Sequence, residues 1–461
     1  MRRSVSGGLT KRGMAMRDSA VTVVGGGLAG SECALQLARR GVSVRLIEQR
    51  PVATSPAHHT ADFAELVCSN SLKSTRHDSA AGLLKEELRA MGSILLELAL
   101  KARLPAGSAL AVDRERFSAL VGERIEAQDL IEVERREVTR LPEGACVIAA
   151  GPLCSRALFD DLAGRLGRGA LSFFDAAAPI VDGESLDTDI VFAQSRYEQA
   201  EGGDYLNCPL DRREYDAFCE ELVSAERVVP RNFERAELFM ACQPIEEVAR
   251  SGHDSLRFGA LKPVGLIDPR TGRRPWAVAQ LRAENVRGSA YNLVGFQTNL
   301  RWGEQERVFR MIPGLAHADF FRYGVMHRNS FVDAPRVLDS SFAIPGTSCR
   351  LAGQICGTEG YTEAIASGLL AAINTYAELS GLDRLTLPKT SALGSLVSYA
   401  TDPATEPYQP MHVNFGLVLP LEGPRLKKRE RYRAYADRAM SDLRRYLEDR
   451  DDLFGSSYVR A

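Results

Sequence analysis

Hydrophobic positions gather first at Ala20–Val24, a largely β-branched run that stops at Gly25-Gly26-Gly27-Leu28-Ala29-Gly30. A short apolar run closed by glycine reads as a buried strand entering a turn. The period then changes. Ala34, Leu35, Leu37 and Ala38 form one face of a helix reaching Arg40, Gly41 interrupts, and Val42–Ile47 predicts a second strand ending at Glu48. Strand, turn, helix and strand within about 30 residues is the unit that builds a parallel sheet. Further on, the spacing predicts a long helical block over Ala80–Leu104, a helix after Val112-Asp113-Arg114, and a buried strand over Ala145–Ala150 closed by Gly151-Pro152. Between about residues 170 and 334 the texture is mixed, with more turns and aromatics; Arg350–Gly353 then returns to strand-then-glycine, and a small-residue helix follows over Thr362–Asn374. The fold class predicted is α/β: a Rossmann-like cofactor-binding domain made of residues 19–165 and 335–461, interrupted by an inserted mixed α/β domain over 166–334.

Gly25-x-Gly27-x-x-Gly30 follows a strand and opens a helix, the context in which this fingerprint binds a dinucleotide. The first glycine permits the tight turn, the second lets backbone approach a pyrophosphate, and the third lets helix pack on strand. Gly26, Leu28 and Ala29 complete the turn and the helix N-terminus, whose free N–H groups and partial positive charge suit phosphate. Glu48 stands about 20 residues beyond the turn, where an acid takes a ribose hydroxyl. The fingerprint alone does not separate FAD from NAD. FAD is favoured by the turn's place near the N-terminus of a large chain and by a second segment, Gly353-Gln354-Ile355-Cys356-Gly357-Thr358-Glu359-Gly360-Tyr361, that delivers the chain into a helix. A helix start aimed at the pyrimidine end of a flavin stabilises the charge that develops on reduction, so Gly353, Gln354 and Gly360 join the predicted FAD-binding residues. There is no second fingerprint, so NAD(P)H, where used, is expected to bind transiently.

Composition adds mostly exclusions. In 461 residues no apolar run reaches the roughly 18 that a membrane-spanning helix needs. Nine cysteines show no Cys-x-x-Cys spacing and seven histidines do not cluster with carboxylates, so neither a disulfide framework nor a metal site is expected, and the thiols fit a reducing cytoplasm. Residues 1–18 are basic and Ser/Gly-rich without the apolar stretch of a secretion signal, and read as a disordered extension. A net charge of −2 means that any nucleic-acid contact must use local patches. One such patch joins Arg270, Arg273 and Arg274 to Trp276; another is the basic run at 425–433. Basic side chains neutralise phosphates and aromatics stack extruded bases, although a charge run is ordinarily a solvated helix face.

Two cysteines have loop-like settings. Cys68 lies in Val67-Cys68-Ser69-Asn70-Ser71, and Cys242 precedes Gln243-Pro244, where proline argues for a loop or helix start. Thiols near helix N-termini can be acidified, but a free cysteine is more often a small buried hydrophobe. Cys33 and Cys146 read as core. His327, in Met326-His327-Arg328-Asn329, reads by default as a surface or satisfied core histidine.

Several long blocks together resemble the folate- and FAD-dependent tRNA (uracil-5-)-methyltransferases, TrmFO. They include the glycine turn, PAHHT (56–60), AELVCSNSLKS (64–74), GLLKEELRAMGS (82–93), PAGSALAVDRE (105–115), RYGVMHRN (322–329) and GQICGTEGYTEAIASGLLAAIN (353–374). The resemblance covers nearly all of residues 20–420, and the last block is shared with the related GidA flavoproteins. Gln243 departs from the methionine expected there. The resemblance implies a GidA-like FAD-binding fold and C5-methylation of a T-loop uridine in tRNA. Methylenetetrahydrofolate would be the one-carbon donor and NAD(P)H the reductant. It implies Cys242 as nucleophile, Cys68 as base beside the flavin, and His327 in the folate pocket. Uracil C5 becomes nucleophilic when a thiolate adds at C6, so the reaction needs such a thiol and a base. The same chemistry on ribosomal RNA, an RNA-binding flavoprotein without methyl transfer, and a plain NAD(P)H-dependent flavin oxidoreductase remain alternatives, and the sequence leaves the oligomeric state open.

Overall fold

Val21–Val24 is the central strand of a five-stranded sheet. In the computed structural model, which describes residues 20–458 apart from 56, 168–169, 177, 198–202, 229–242, 286, 325, 407 and 424–425, its order is 349–351, 146–148, 21–24, 44–48 and 131–135. All four pairings are parallel. The predicted extension 1–18 lies outside the described residues. The central strand is buried throughout, as its unbroken Val/Thr run requires of a sheet covered on both faces. The helix Leu28–Arg39 covers one face and packs closely on the helix Tyr361–Ser380: a Cβ at Gly368 would stand 2.2 Å from the Ala29 carbonyl oxygen, so only glycine fits that crossing.

The predicted block Ala80–Leu104 is two helices, Ala80–Ala90 and Ile94–Lys101. Gly92 takes a left-handed φ of 74°, Ser93 caps the second helix by accepting from Leu96 N, and the buried Glu32 carboxylate accepts from Ile94 N and Leu95 N. Local turn chemistry overrides the continuous apolar periodicity there. Asp113 caps the helix Arg114–Glu126, in the expected place, by accepting from Arg116 N at 3.0 Å.

A six-stranded antiparallel sheet occupies the middle of the chain, in the order 192–193, 205–210, 277–283, 290–293, 180–182, 320–322. Its apolar core, around Tyr215, Phe218, Phe296 and Phe309, is separate from the larger core that spans both ends of the chain. Between the two lobes runs an antiparallel ribbon, Ala170–Ala176 against Met326–Val332, paired through seven residue positions. Among the described residues no helix is long and apolar enough to cross a membrane.

Candidate active site

The glycine turn is built as its residue types demand. Gly25 has φ of 100°, and a Cβ there would meet the Ala149 carbonyl oxygen at 2.4 Å. A Cβ at Gly30 would stand 1.8 Å from the Gly25 carbonyl oxygen, so helix and turn touch only because both residues are glycine. Gly27 differs: nothing lies within 4 Å of its Cβ position, and it caps Leu28–Arg39 without any side-chain hydrogen bond. The first N–H groups of that helix therefore face open space, a cradle for an anion. Gly26 lies behind the turn, donating its N–H to Glu48 Oε2 at 2.7 Å.

That open face belongs to a cleft of about 960 Å³, including its mouth. Gly25, Gly27, Leu28, Ala29 and Glu48 line one end; Gly353, Gln354 and Tyr361 line the other. Gly353 is left-handed with φ of 84° and donates its N–H to Ser367 Oγ at 2.7 Å, while Gln354 Nε2 donates to Glu359 Oε1 at 2.6 Å. Gly360, with φ of 117°, caps the helix Tyr361–Ser380 and turns Tyr361 into the cleft.

Sequence reasoning missed Arg50. This arginine is only 2 % exposed and places Nε 2.8 Å from Glu48 Oε1 and a terminal nitrogen 2.9 Å from Glu65 Oε2. Burial by itself would raise the Glu48 pKa. The Arg50 hydrogen bonds and charge, with the Gly26 N–H, outweigh it and hold the carboxyl below its usual value. Glu48 is thus kept ionised at the cleft, as a ribose acceptor must be. The only local signal was a basic residue two positions after the acid, the spacing at which side chains of an extended chain share a face.

Cys68 lies between the cleft and the middle lobe. Its neighbour Val67 lines the cleft, and the Tyr361 hydroxyl lies 3.0 Å from its Sγ. Three arginines grip this segment. Arg114 donates to the Leu66 carbonyl at 2.7 Å, Arg322 to the Val67 carbonyl, and Arg282 to Ser69 Oγ at 2.8 Å and Asn70 Oδ1 at 2.6 Å. Two of them, Arg282 and Arg322, come from strands of the antiparallel sheet, so the middle lobe holds the residues on either side of Cys68 directly. Other thiols are placed differently: burial pushes Cys154, Cys208 and Cys356 up to about 12 and Cys219 to about 11. Cys33 and Cys146 are fully buried in the sheet core, as their sequence settings suggest.

The remaining candidates scatter. Cys242 lies outside the described residues, although Pro244 does open a helix, Ile245–Arg250. His327 sits on the ribbon opposite Asp175. Arg273 and Arg274 are exposed, but Arg270 is clamped on Asp268 by contacts of 2.9 and 3.1 Å. Trp276 offers little free ring: the Arg257 guanidinium covers it at 3.6 Å and Arg212 approaches at 5.3 Å. In the basic run, Arg425 lies outside the described residues and Arg429 contacts Asp78 at 3.2 Å.

A parallel sheet with a glycine-rich turn, an ionised acid at the second strand and a second helix start facing the same cleft defines an FAD-binding flavoprotein, and the cradle at Gly27 fits the ADP half of that cofactor. A family model described as glucose inhibited division protein A matches residues 20–383. Methylenetetrahydrofolate–tRNA-(uracil-5-)-methyltransferase TrmFO of Geobacter sulfurreducens is 54 % identical over 430 residues, 93 % of this chain and 99 % of that protein. The protein of the same name from Symbiobacterium thermophilum is 52 % identical over 433 residues, 93 % and 97 % of the two chains. In structure, Aquifex aeolicus GidA superposes with a TM-score of 0.68 at 16 % identity, over 95 % of this chain and 74 % of that one, a likeness of fold. The chain belongs to the glucose inhibited division protein A family and, within it, to TrmFO.

Proposed function

We propose that the protein methylates C5 of a T-loop uridine in tRNA, with FAD and methylenetetrahydrofolate, in the cytoplasm. The observation that carries this reading is Cys68, half-buried next to Val67 and Tyr361 of the flavin cleft, in a chain more than half identical to named methyltransferases. When bound, methylenetetrahydrofolate supplies the carbon, and flavin reduced by NAD(P)H supplies the electrons. Gly25, Gly27, Leu28, Ala29 and Glu48 hold the ADP half, while Gly353, Gln354 and the Gly360–Tyr361 helix start face the ring. Cys242 adds to C6 of the uridine, making C5 nucleophilic. After carbon transfer, Cys68 takes the C5 proton; the C–H electrons re-form the C5–C6 double bond and the Cys242 sulfur leaves with its own pair. His327 belongs to the folate pocket. Residues 19–165 and 335–461 serve as the cofactor lobe and 166–334 as the insert, a division that accounts for the two separate cores.

Nucleoside analysis of RNA from a deletion strain tests the reaction: 5-methyluridine should vanish from tRNA. Its loss from ribosomal RNA instead would move the substrate, and its persistence in both would leave a flavin oxidoreductase or an RNA-binding flavoprotein.

The RNA surface has its own expected result. Binding should weaken with salt, and replacing Arg270, Arg273 and Arg274 together should flatten the log–log slope by about two, not three, since each phosphate contact contributes about 0.9 and Arg270 is committed to Asp268. An unchanged slope, measured by filter binding across a salt series, would shift the surface to 425–433. For the folate pocket, His327→Ala should raise the concentration of methylenetetrahydrofolate needed for half-maximal rate by about tenfold, the loss of one stacked ring, with FAD content and RNA binding kept. An unaltered folate dependence would remove His327 from that pocket.

A further inference from the structure

Tyr361 opens a long helix at the cofactor cleft, and its hydroxyl is the meeting point of three groups. The backbone N–H of Cys68 donates to it at 2.9 Å and that of Ser69 at 3.1 Å, while Cys68 Sγ lies 3.0 Å away. A phenol oxygen has room to accept two hydrogen bonds and one proton to give. Both acceptor positions are taken by N–H groups, so the proton is left for the sulfur. The sulfur is left to accept, and an ionised sulfur accepts a hydrogen bond more strongly than a neutral thiol. The geometry thus fixes the direction of the bond and favours the thiolate.

We propose that Tyr361 is a positioning residue for Cys68, its hydroxyl donating to Sγ and holding the sulfur as a thiolate. This rests on reading Cys68 as the base. The two backbone amides orient the phenol so that its one proton points at sulfur in every turnover. Arg322, donating to the carbonyl of the preceding residue, places positive charge on the same side. Burial, followed by the neighbouring sulfur, pushes the Tyr361 phenol well above its ordinary value, so it stays protonated and remains a donor at neutral pH. Burial pushes the described thiols Cys154, Cys208 and Cys356 up to about 12; Cys219, which also meets a phenol, is pushed to about 11, and there the Tyr215 hydroxyl gives its proton to the His253 carbonyl.

The test is the pH profile of iodoacetamide alkylation at Cys68 in the full-length, FAD-loaded enzyme, resolved peptide by peptide by mass spectrometry. The wild-type midpoint is expected below the ordinary thiol value of about 8.5. Tyr361→Phe should raise it by about one pH unit or more, the loss of one hydrogen bond to the charged form, read on the flavin-loaded fraction of the variant. Coincident profiles for wild type and variant overturn the proposal. So does a wild-type midpoint at or above the ordinary value, which decides the matter even where the variant fails to load flavin. Methylation measured alongside separates the two ideas. A profile that moves while methylation is intact upholds the Tyr361–Cys68 link and removes Cys68 from the base role. An unmoved profile with methylation lost does the reverse.

Discussion

RNA carrying 5-fluorouridine at the target position is expected to form a covalent complex with the wild-type enzyme that survives denaturing electrophoresis. Fluorine at C5 cannot leave as a cation, so the last proton removal has no counterpart and the C6–sulfur bond persists. Cys242→Ala should give no shifted band and no methylation, because the carbon nucleophile never forms. Cys68→Ala should keep the band while methylation falls by about 10² or more, the usual contribution of a positioned base. The surroundings of Cys68 motivate this division: its half-buried sulfur lies 3.0 Å from the hydroxyl of Tyr361, a residue that lines the cleft. A band from Cys242→Ala and none from Cys68→Ala would exchange the roles. Bands from both would require another nucleophile. Cys208 would be a poor one, since burial pushes its thiol up to about 12.

Gly27→Leu should yield a folded protein almost free of flavin, with FAD content falling at least about tenfold, because the side chain would occupy the pyrophosphate's approach. The backbone at Gly27 is extended, with φ of −73° and ψ of −166°, which any residue adopts, and its Cβ would meet nothing within 4 Å. The substitution therefore spares the fold and damages only the cradle. Gly30→Leu is the contrasting control: a Cβ 1.8 Å from the Gly25 carbonyl oxygen forces helix and turn apart, so that variant should lose stability as well as flavin. Heat-released FAD read by fluorescence, with thermal melts of the apo-proteins, distinguishes the two. Full flavin content in Gly27→Leu would sink the assignment of this turn.

The turn, its acid and the return segment at 353–361 were legible because each is local: the spacing of glycines against a β-branched run states the backbone geometry outright. What was not legible depends on side chains from distant parts of the chain. Arg50 is unremarkable in sequence and becomes central only when Glu65 folds back over it. Tyr361 reads as the first residue of a helix, and only the fold brings Cys68 beneath its hydroxyl, 293 positions away in sequence. Arg270 and Trp276 look available for RNA in a linear reading, yet Asp268 and Arg257 occupy them. The break at Gly92-Ser93 was hidden by unbroken apolar periodicity, although a glycine before a serine cap is itself the stop-and-start signal.

The ribbon between the lobes has an evolutionary side. Residues 170–176 leave the cofactor lobe and residues 326–332 return to it as seven facing pairs. A chain that departs and returns through adjacent ladder positions leaves the connectivity of the parallel sheet unaltered, as a surface hairpin does. The stretch between the ribbon strands is thereby free to lengthen, shorten or be replaced without disturbing the register of the flavin-binding strands. That freedom has a bound: Arg282 and Arg322 of the same stretch hold Val67, Ser69 and Asn70 around Cys68, so any replacement has to keep those contacts.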